Sequence, residues 1–178
     1  MDFEKAPWQE IALQALHALS NVGGLLLVTQ KRDTEKVNVM TIGWALFGIV
    51  WGKPIAAVFV RPSRFTYTLL EENPFFTVNV PPPNLAQVIT DCGKYSGRDV
   101  DKIAFCALTP VYFEAFPVPS ISECIASLQC AVVAKSWINP EALTASIRET
   151  YYGNDDYHKV YFGEIQTGWR RKDATPSF

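Results

Sequence analysis

No stretch of this chain approaches the roughly 18 uninterrupted apolar residues that a membrane-spanning helix requires, so no membrane partner is expected. Charge of either sign is scarce and nearly balanced: 16 Lys and Arg against 18 Asp and Glu leave a net charge of −2. A nucleic-acid surface needs a basic stripe, so nucleic acid is not an expected partner either. Histidine is rarer still, with His17 and His158 the only two, and none of the four cysteines (Cys92, Cys106, Cys124, Cys130) sits in a C-x-x-C pair. A structural zinc site wants closely spaced ligand pairs, which leaves buried, reduced thiols as the reading and no metal. Two disulfides would require a secreted chain. The opening Met1-Asp-Phe-Glu-Lys5 is charged and lacks the apolar segment of a signal peptide, so a cytoplasmic location is expected. Internal repeats and low-complexity tracts are missing too. No glycine loop ends in the Lys-Ser/Thr of a Walker motif.

What is present is apolar and aromatic. With 48% hydrophobic residues, 13% aromatics and 178 residues, the chain can bury a proper core. A single domain over residues 1–178 is the expectation. Trp8, Ile11, Ala12, Ala15, Leu16 and Leu19 recur at helical steps after Pro7, and Asn21 to Gly24 carries turn chemistry. Leu25–Gln30 and Val37–Trp44, joined by a polar turn, predict a hairpin. Leu46–Trp51 is apolar but interrupted by Gly48, and Ile55–Val60 reads as a strand buried on both faces. A short helix is predicted over Phe65–Glu72, stopped by Asn73-Pro74, then a strand over Phe75–Val80 and a helix over Leu85–Cys92. Gly93–Asp101 reads as a polar loop, and Val111–Phe116 as a strand. Ser127–Ile138 alternates strongly, Glu141–Thr150 suits a helix and Val160–Gln166 a last strand. Six or seven strands with a few short helices favour a mainly β (α+β) antiparallel barrel, closed or partly closed.

Three runs carry candidate chemistry. Asn38-Val-Met-Thr-Ile-Gly-Trp44 places Asn38, Met40, Thr41 and Trp44 in a segment with strand-like flanks. Such a segment offers backbone donors and acceptors and an apolar face to a flat polar ring. It also suits an ordinary strand with Met40 and Trp44 in the core. Arg61-Pro-Ser-Arg-Phe-Thr66 puts two guanidiniums and two hydroxyls before a helix. Ser63 can cap that helix, and the helix terminus with Arg64 and Thr66 can converge on an anion. A capped surface helix with two solvated arginines is the plainer alternative. In Cys92–Lys102, Gly93 and Gly97 permit tight backbone while Lys94, Ser96, Arg98 and Lys102 offer donors, for a ligand or for solvent.

With these runs in view, the chain resembles the flavin reductase-like family, and within it the flavoredoxin-type proteins of the FMN-binding split barrel. The resemblance rests on Asn38–Thr41 with Trp44, Arg61–Thr66, Phe76-Thr-Val-Asn79, Ser96-Gly-Arg-Asp-Val-Asp-Lys102 and His158-Lys-Val-Tyr-Phe-Gly-Glu164, in the family's order across most of the chain. It implies a split β-barrel of six or seven strands and a homodimer holding FMN near its interface. Asn38–Trp44 would run along the flavin ring, and Arg61, Ser63, Arg64 and Thr66 would meet the phosphate. Asn79 and the loop bearing Lys94, Ser96, Gly97 and Arg98 would add contacts. His158 would lie where a nicotinamide stacks, and Glu164 would serve either function or an ion pair. The activity implied is transfer of electrons from NAD(P)H through bound FMN to free flavin or another acceptor. Its alternatives are a flavoredoxin-like carrier reduced by a protein partner, a flavin or phosphate-ligand binder without turnover, and a relative of pyridoxamine-phosphate oxidase. The chain departs from the family in the brief Cys106–Pro110 stretch and the very apolar Leu46–Trp51.

Overall fold

The computed structural model describes residues 2–174. In chain order the elements are β1 (Phe3–Lys5), α1 (Trp8–Asn21), β2 (Leu25–Gln30), β3 (Val37–Ile42), β4 (Ala45–Val50), β5 (Lys53–Val60), α2 (Phe65–Glu72) and β6 (Phe75–Val80). There follow α3 (Ala86–Lys94), α4 (Lys102–Phe105), β7 (Pro110–Val111), β8 (Ser120–Ile121), β9 (Ala126–Trp137), α5 (Ala145–Tyr151) and β10 (Lys159–Arg171). Seven strands lie side by side in the order β3-β2-β6-β9-β10-β5-β4, β1 adds to β10, and β7 pairs with β8 separately. Every pairing is antiparallel. No helix among the described residues is long and apolar enough to cross a membrane.

One face of these strands closes around a common core. Leu25 and Leu27 of β2, Met40 and Ile42 of β3, Val58 of β5, Phe76 and Val78 of β6, Leu128 of β9 and Tyr161 of β10 all meet there, with Ile11, Ala15 and Ala18 of α1 packed among them. Each fully buried side chain of this size contributes on the order of 1.5–3 kcal/mol of burial energy. The outer face of β2 and β3 (Leu26, Val28, Val39) is covered by Ile89 and Cys92 of α3 and by Val118, Ile121 and Cys124. The ends of the sheet, β3 and β4, are consecutive in the chain yet unpaired with each other, and Gly43-Trp44 carries the chain across that gap. The barrel is split there, and the candidate site lies beside the split.

Several sequence expectations need correction. The main sheet has eight strands rather than six or seven, because β1 and β4 both pair. Gly48 does not interrupt β4, since it stands opposite Ile55 in the ladder. The expected strand over Val111–Phe116 stops at Val111, and Glu114 adopts a left-handed φ of 53° that ends extended pairing. Phe113 instead stacks on Trp169 with ring centroids 4.6 Å apart. The last strand runs on to Arg171, absorbing register shifts after Phe162 and Ile165. At Gly163 a Cβ would come within 2.7 Å of the Phe76 ring and 2.9 Å of Cys130, so the bend needs glycine. The alternation of β9 does not make it half-exposed throughout: Ser127 and Gln129 are as buried as Leu128, because β8 and Phe113 cover that face.

A candidate flavin groove at the barrel split

The site forms where three chain segments meet at the open end of β3. Strand β5 ends at Val60 and turns through Arg61–Arg64 into α2, while Lys159 of β10 pairs with Val60. That register sets His158 beside Arg61. The third segment runs from α3 to the start of α4, and α3 meets β3 through the Thr41 hydroxyl donating to the Ile89 carbonyl at 2.5 Å. As the last strand of the sheet, β3 leaves one edge of its backbone without a strand partner.

Two cavities result. The first, about 210 Å³, is lined by Met40, Thr41, Ile42, Gly43, Trp44, Phe59, Arg61, Arg64 and His158. It has an aromatic wall: the Trp44 ring lies 4.5 Å from His158 and 5.3 Å from Tyr151, centroid to centroid. The second, about 270 Å³, is lined by the Ser63–Thr66 turn, Cys92, Lys94–Asp99 and Lys102, and shares Met40 and Arg64 with the first. Together they fall within the roughly 300–1,000 Å³ of small-molecule sites. One lobe suits a flat ring; the other is cationic.

The cations are held in different ways. Arg64 donates Nη1 to the Gly93 carbonyl at 3.2 Å, and Arg98 donates Nη1 to the Ser63 carbonyl at 2.9 Å with its guanidinium over the Phe65 ring. Arg61 donates to the carbonyls of Asp156 (2.7 Å) and Tyr151 (2.8 Å) and lies over Tyr152, so it ties down the 151–158 segment at the edge of the ring lobe. Lys102 is only 5% exposed, donates to the Cys92 carbonyl at 3.1 Å, and forms no ion pair among the described residues. Burial holds its pKa below the usual lysine value. A buried ammonium without a carboxylate is costly in an empty site and is relieved by an anion.

Some expected site residues take other roles. Ser63 does not cap α2. The N-cap is Arg64 without a side-chain bond, and the Ser63 hydroxyl donates to Asp156 at 2.6 Å. Thr66 is buried and its Oγ1 accepts from Asn38 Nδ2 at 2.9 Å, so the two side chains knit β3 to α2. Asn79 is fully buried on β6. It donates to the Leu26 carbonyl and accepts from the Ile121 N–H, so it braces β6 against β2 and β8. Gly97 packs so closely that a Cβ would collide with Asn38 Oδ1 and come within 2.9 Å of Phe65. Glu164 pairs with Lys53 at 2.6 Å, a partly exposed bridge remote from the site. Phe59, Tyr152 and the buried placement of Lys102 were not legible in the sequence.

His158 is 8% exposed, and its Nδ1 lies 2.9 Å from the Tyr152 hydroxyl. Its pKa is lowered to about 4, by burial first and then by the charge of Arg61, so the ring is neutral at pH 7. All four cysteines are thiols. Burial pushes Cys92 up to about 12, which leaves it unreactive beside the anion lobe. No group of three or more metal-ligating side chains occurs among the described residues.

Sequence comparison decides the family: the model described as the flavin reductase like domain matches residues 20–177. The chain belongs to the flavin reductase-like family. An uncharacterized protein of Archaeoglobus fulgidus is 36% identical over 99 residues, or 56% of this chain and 55% of that protein. The chain thus spans about half the length of that curated relative. Among solved structures, flavoredoxin from Methanosarcina acetivorans superposes with a TM-score of 0.68 at 26% identity, covering 85% of this flavin reductase-like chain and 70% of that one. An FMN-binding domain of a flavin reductases-like enzyme from Shewanella baltica gives a TM-score of 0.66 at 19% identity, covering 95% and 77%, and speaks to the fold alone. The fold is the mainly antiparallel split barrel that the resemblance implied.

Proposed function

We propose that this flavin reductase-like protein binds FMN across the two lobes and acts as an oxidoreductase, passing electrons from NAD(P)H to free flavin or another acceptor. The observation that carries the reading is Lys102, a buried ammonium without an acidic partner, at the cationic end of a groove whose other end is aromatic and bordered by an unpaired strand edge. The donor set fits the group. Arg64, Lys94, Arg98 and Lys102 surround the lobe that would take a phosphate, and Gly97 brings the loop backbone against it. FMN would supply the redox chemistry; the protein supplies binding and orientation. Met40, Gly43 and Trp44 would flank the ring, and neutral His158 would present a hydrogen-bonding group beside it.

A second reading is an electron carrier reduced by a protein partner. It is favoured by the 26% identity with a flavoredoxin. Purified protein separates the two. Bleaching of a yellow preparation by NADH or NADPH alone, without oxygen, supports the reductase, and bleaching only with a protein partner supports the carrier. A colourless protein that takes up no added FMN overturns both.

The phosphate assignment has its own check. FMN should bind at least tenfold more tightly than riboflavin, and Arg64→Ala should weaken FMN about ten- to hundredfold, the loss of one charge-assisted contact of roughly 1.5–3 kcal/mol. Equal affinity for FMN and riboflavin, measured by flavin fluorescence quenching, removes the assignment.

We also propose that the protein works as a homodimer. Strand β4 ends the sheet, and it and the following turn expose Leu46 (62%), Ile49 (62%) and Trp51 (64%). An unpaired edge with adjacent apolar side chains is the kind of surface a second copy covers. Sedimentation equilibrium at micromolar concentration should give about 40 kDa, twice the 19.9 kDa of one chain. A single 20 kDa species that retains FMN rules the dimer out.

A further inference from the structure

The ring lobe carries one histidine, and the side chain that holds it lies six residues earlier in the same 151–158 segment. Tyr152 lies just past α5 and is 3% exposed. Its ring stacks on Tyr157 at 4.7 Å and 21°, and the Arg61 guanidinium lies over it at 5.2 Å. Its hydroxyl reaches His158 Nδ1 at 2.9 Å. Trp44 packs against the imidazole at 4.5 Å, and Phe59 meets it edge-on at 6.3 Å. With Nδ1 engaged by the phenol, Nε2 is the ring nitrogen left for a ligand in the lobe.

We propose that Tyr152 is a positioning residue: its hydroxyl donates to Nδ1 of His158, fixes the neutral imidazole as the Nε2–H tautomer, and makes that nitrogen a standing hydrogen-bond donor to whatever occupies the ring lobe. The direction of the bond follows from the two groups. A neutral imidazole carries one strong acceptor nitrogen, whereas a phenol is a good donor and a weak acceptor. Burial raises the Tyr152 pKa, so the phenol keeps its proton to donate. The charged groups facing His158 agree. Arg61 and Arg64 disfavour imidazolium, and Asp156, which favours it, is outweighed by Arg61 and has its carboxylate engaged by Ser63. A histidine so held does not switch near neutrality. It offers the same donor across the physiological range, suited to an acceptor such as a carboxamide or ring carbonyl oxygen.

The role in turnover rests on the flavin reading above, but the tautomer does not. This chain has two histidines, so ¹⁵N-labelled imidazole resonances are assignable by comparison with a His17→Gln variant. Wild type, with or without FMN, should show His158 as a single Nε2–H tautomer that stays neutral down to about pH 5. Tyr152→Phe keeps the ring and its stacking on Tyr157 and Arg61 while removing the hydroxyl. It should give a mixture of tautomers, and in FMN-loaded protein slow anaerobic reduction by NAD(P)H three- to tenfold with FMN affinity unchanged. A wild-type His158 found as the Nδ1–H tautomer overturns the proposal without any variant, as does a Tyr152→Phe protein with the tautomer and the rate both unchanged. Protein that shows the Nε2–H tautomer but takes up no FMN leaves the positioning intact and removes the flavin reading instead.

Discussion

Lys102→Met should abolish most FMN binding, weakening it about a hundredfold, while leaving the ligand-free protein as stable as wild type or more so. The two halves of this expectation share one cause. In the ligand-free fold the Cys92 carbonyl is the ammonium's hydrogen-bond partner among the described residues and the group is almost wholly buried, so its charge is poorly compensated. Methionine fills a similar volume without that cost. With FMN bound, the same ammonium would meet a phosphate in a site shielded from water, where a charge-assisted bond is worth roughly 1.5–3 kcal/mol or somewhat more. The pH dependence of stability checks the first half. Because burial lowers the folded-state pKa of Lys102, the unfolded chain binds the extra proton at alkaline pH, and ligand-free wild type should gain stability as pH rises from neutral toward 10. The variant should lack that rise. Denaturant melts with and without FMN test both halves, and a variant that is less stable yet binds FMN normally would place Lys102 in the fold rather than the site.

The contrast between Lys102 and Ser63 shows what the sequence revealed and what it concealed. The hairpin of β2 and β3, the strand β5, the helix α2 and the strand β6 were readable, because each is fixed by local periodicity and ends on a proline, glycine or asparagine signal. The end of β3 and the Arg61–Thr66 turn, which border the candidate groove, stood out in the sequence because both runs break the surrounding pattern. The partners were not. Ser63 has the chemistry of a cap, but Asp156, 93 residues along the chain, takes its hydroxyl. Thr66 and Asn79 look like partners for a ligand, yet Thr66 Oγ1 accepts from Asn38, and Asn79 donates to Leu26 and accepts from Ile121. Lys102 stands in a polar run that reads equally well as facing a ligand or solvent, and its burial comes from the packing of α4 against β3. Local pattern fixes an element, whereas the fate of a polar side chain depends on which distant segment the barrel brings beside it.

His158→Ala should slow reduction of FMN-loaded protein by NAD(P)H roughly ten- to hundredfold with FMN affinity little changed, the usual span for losing one positioned acid–base or hydrogen-bonding side chain. The residue lines the ring lobe beside Trp44 and Phe59, not the cationic lobe, which is why rate and affinity should separate. Its lowered pKa adds a stability signature. With the folded value at about 4 and the usual value at 6.5, the unfolded chain binds one more proton between those limits, so His158 makes the protein lose stability as pH falls from 6.5 to 4. The loss is on the order of 1–3 kcal/mol, because a tenfold change in proton affinity is worth about 1.36 kcal/mol. His158→Gln, which keeps polar contact and cannot titrate, should flatten this acid limb while still slowing reduction. Above pH 6.5 the wild-type reduction rate should show no step assignable to a histidine, because the imidazole is already neutral there. Stopped-flow traces identical for wild type, His158→Ala and His158→Gln would confine the residue to packing the aromatic wall. A wild-type rate that falls with an apparent pKa near 6.5 would show instead that the imidazole is exposed to solvent during turnover, and that the 151–158 segment, held by Arg61, opens when the nicotinamide arrives.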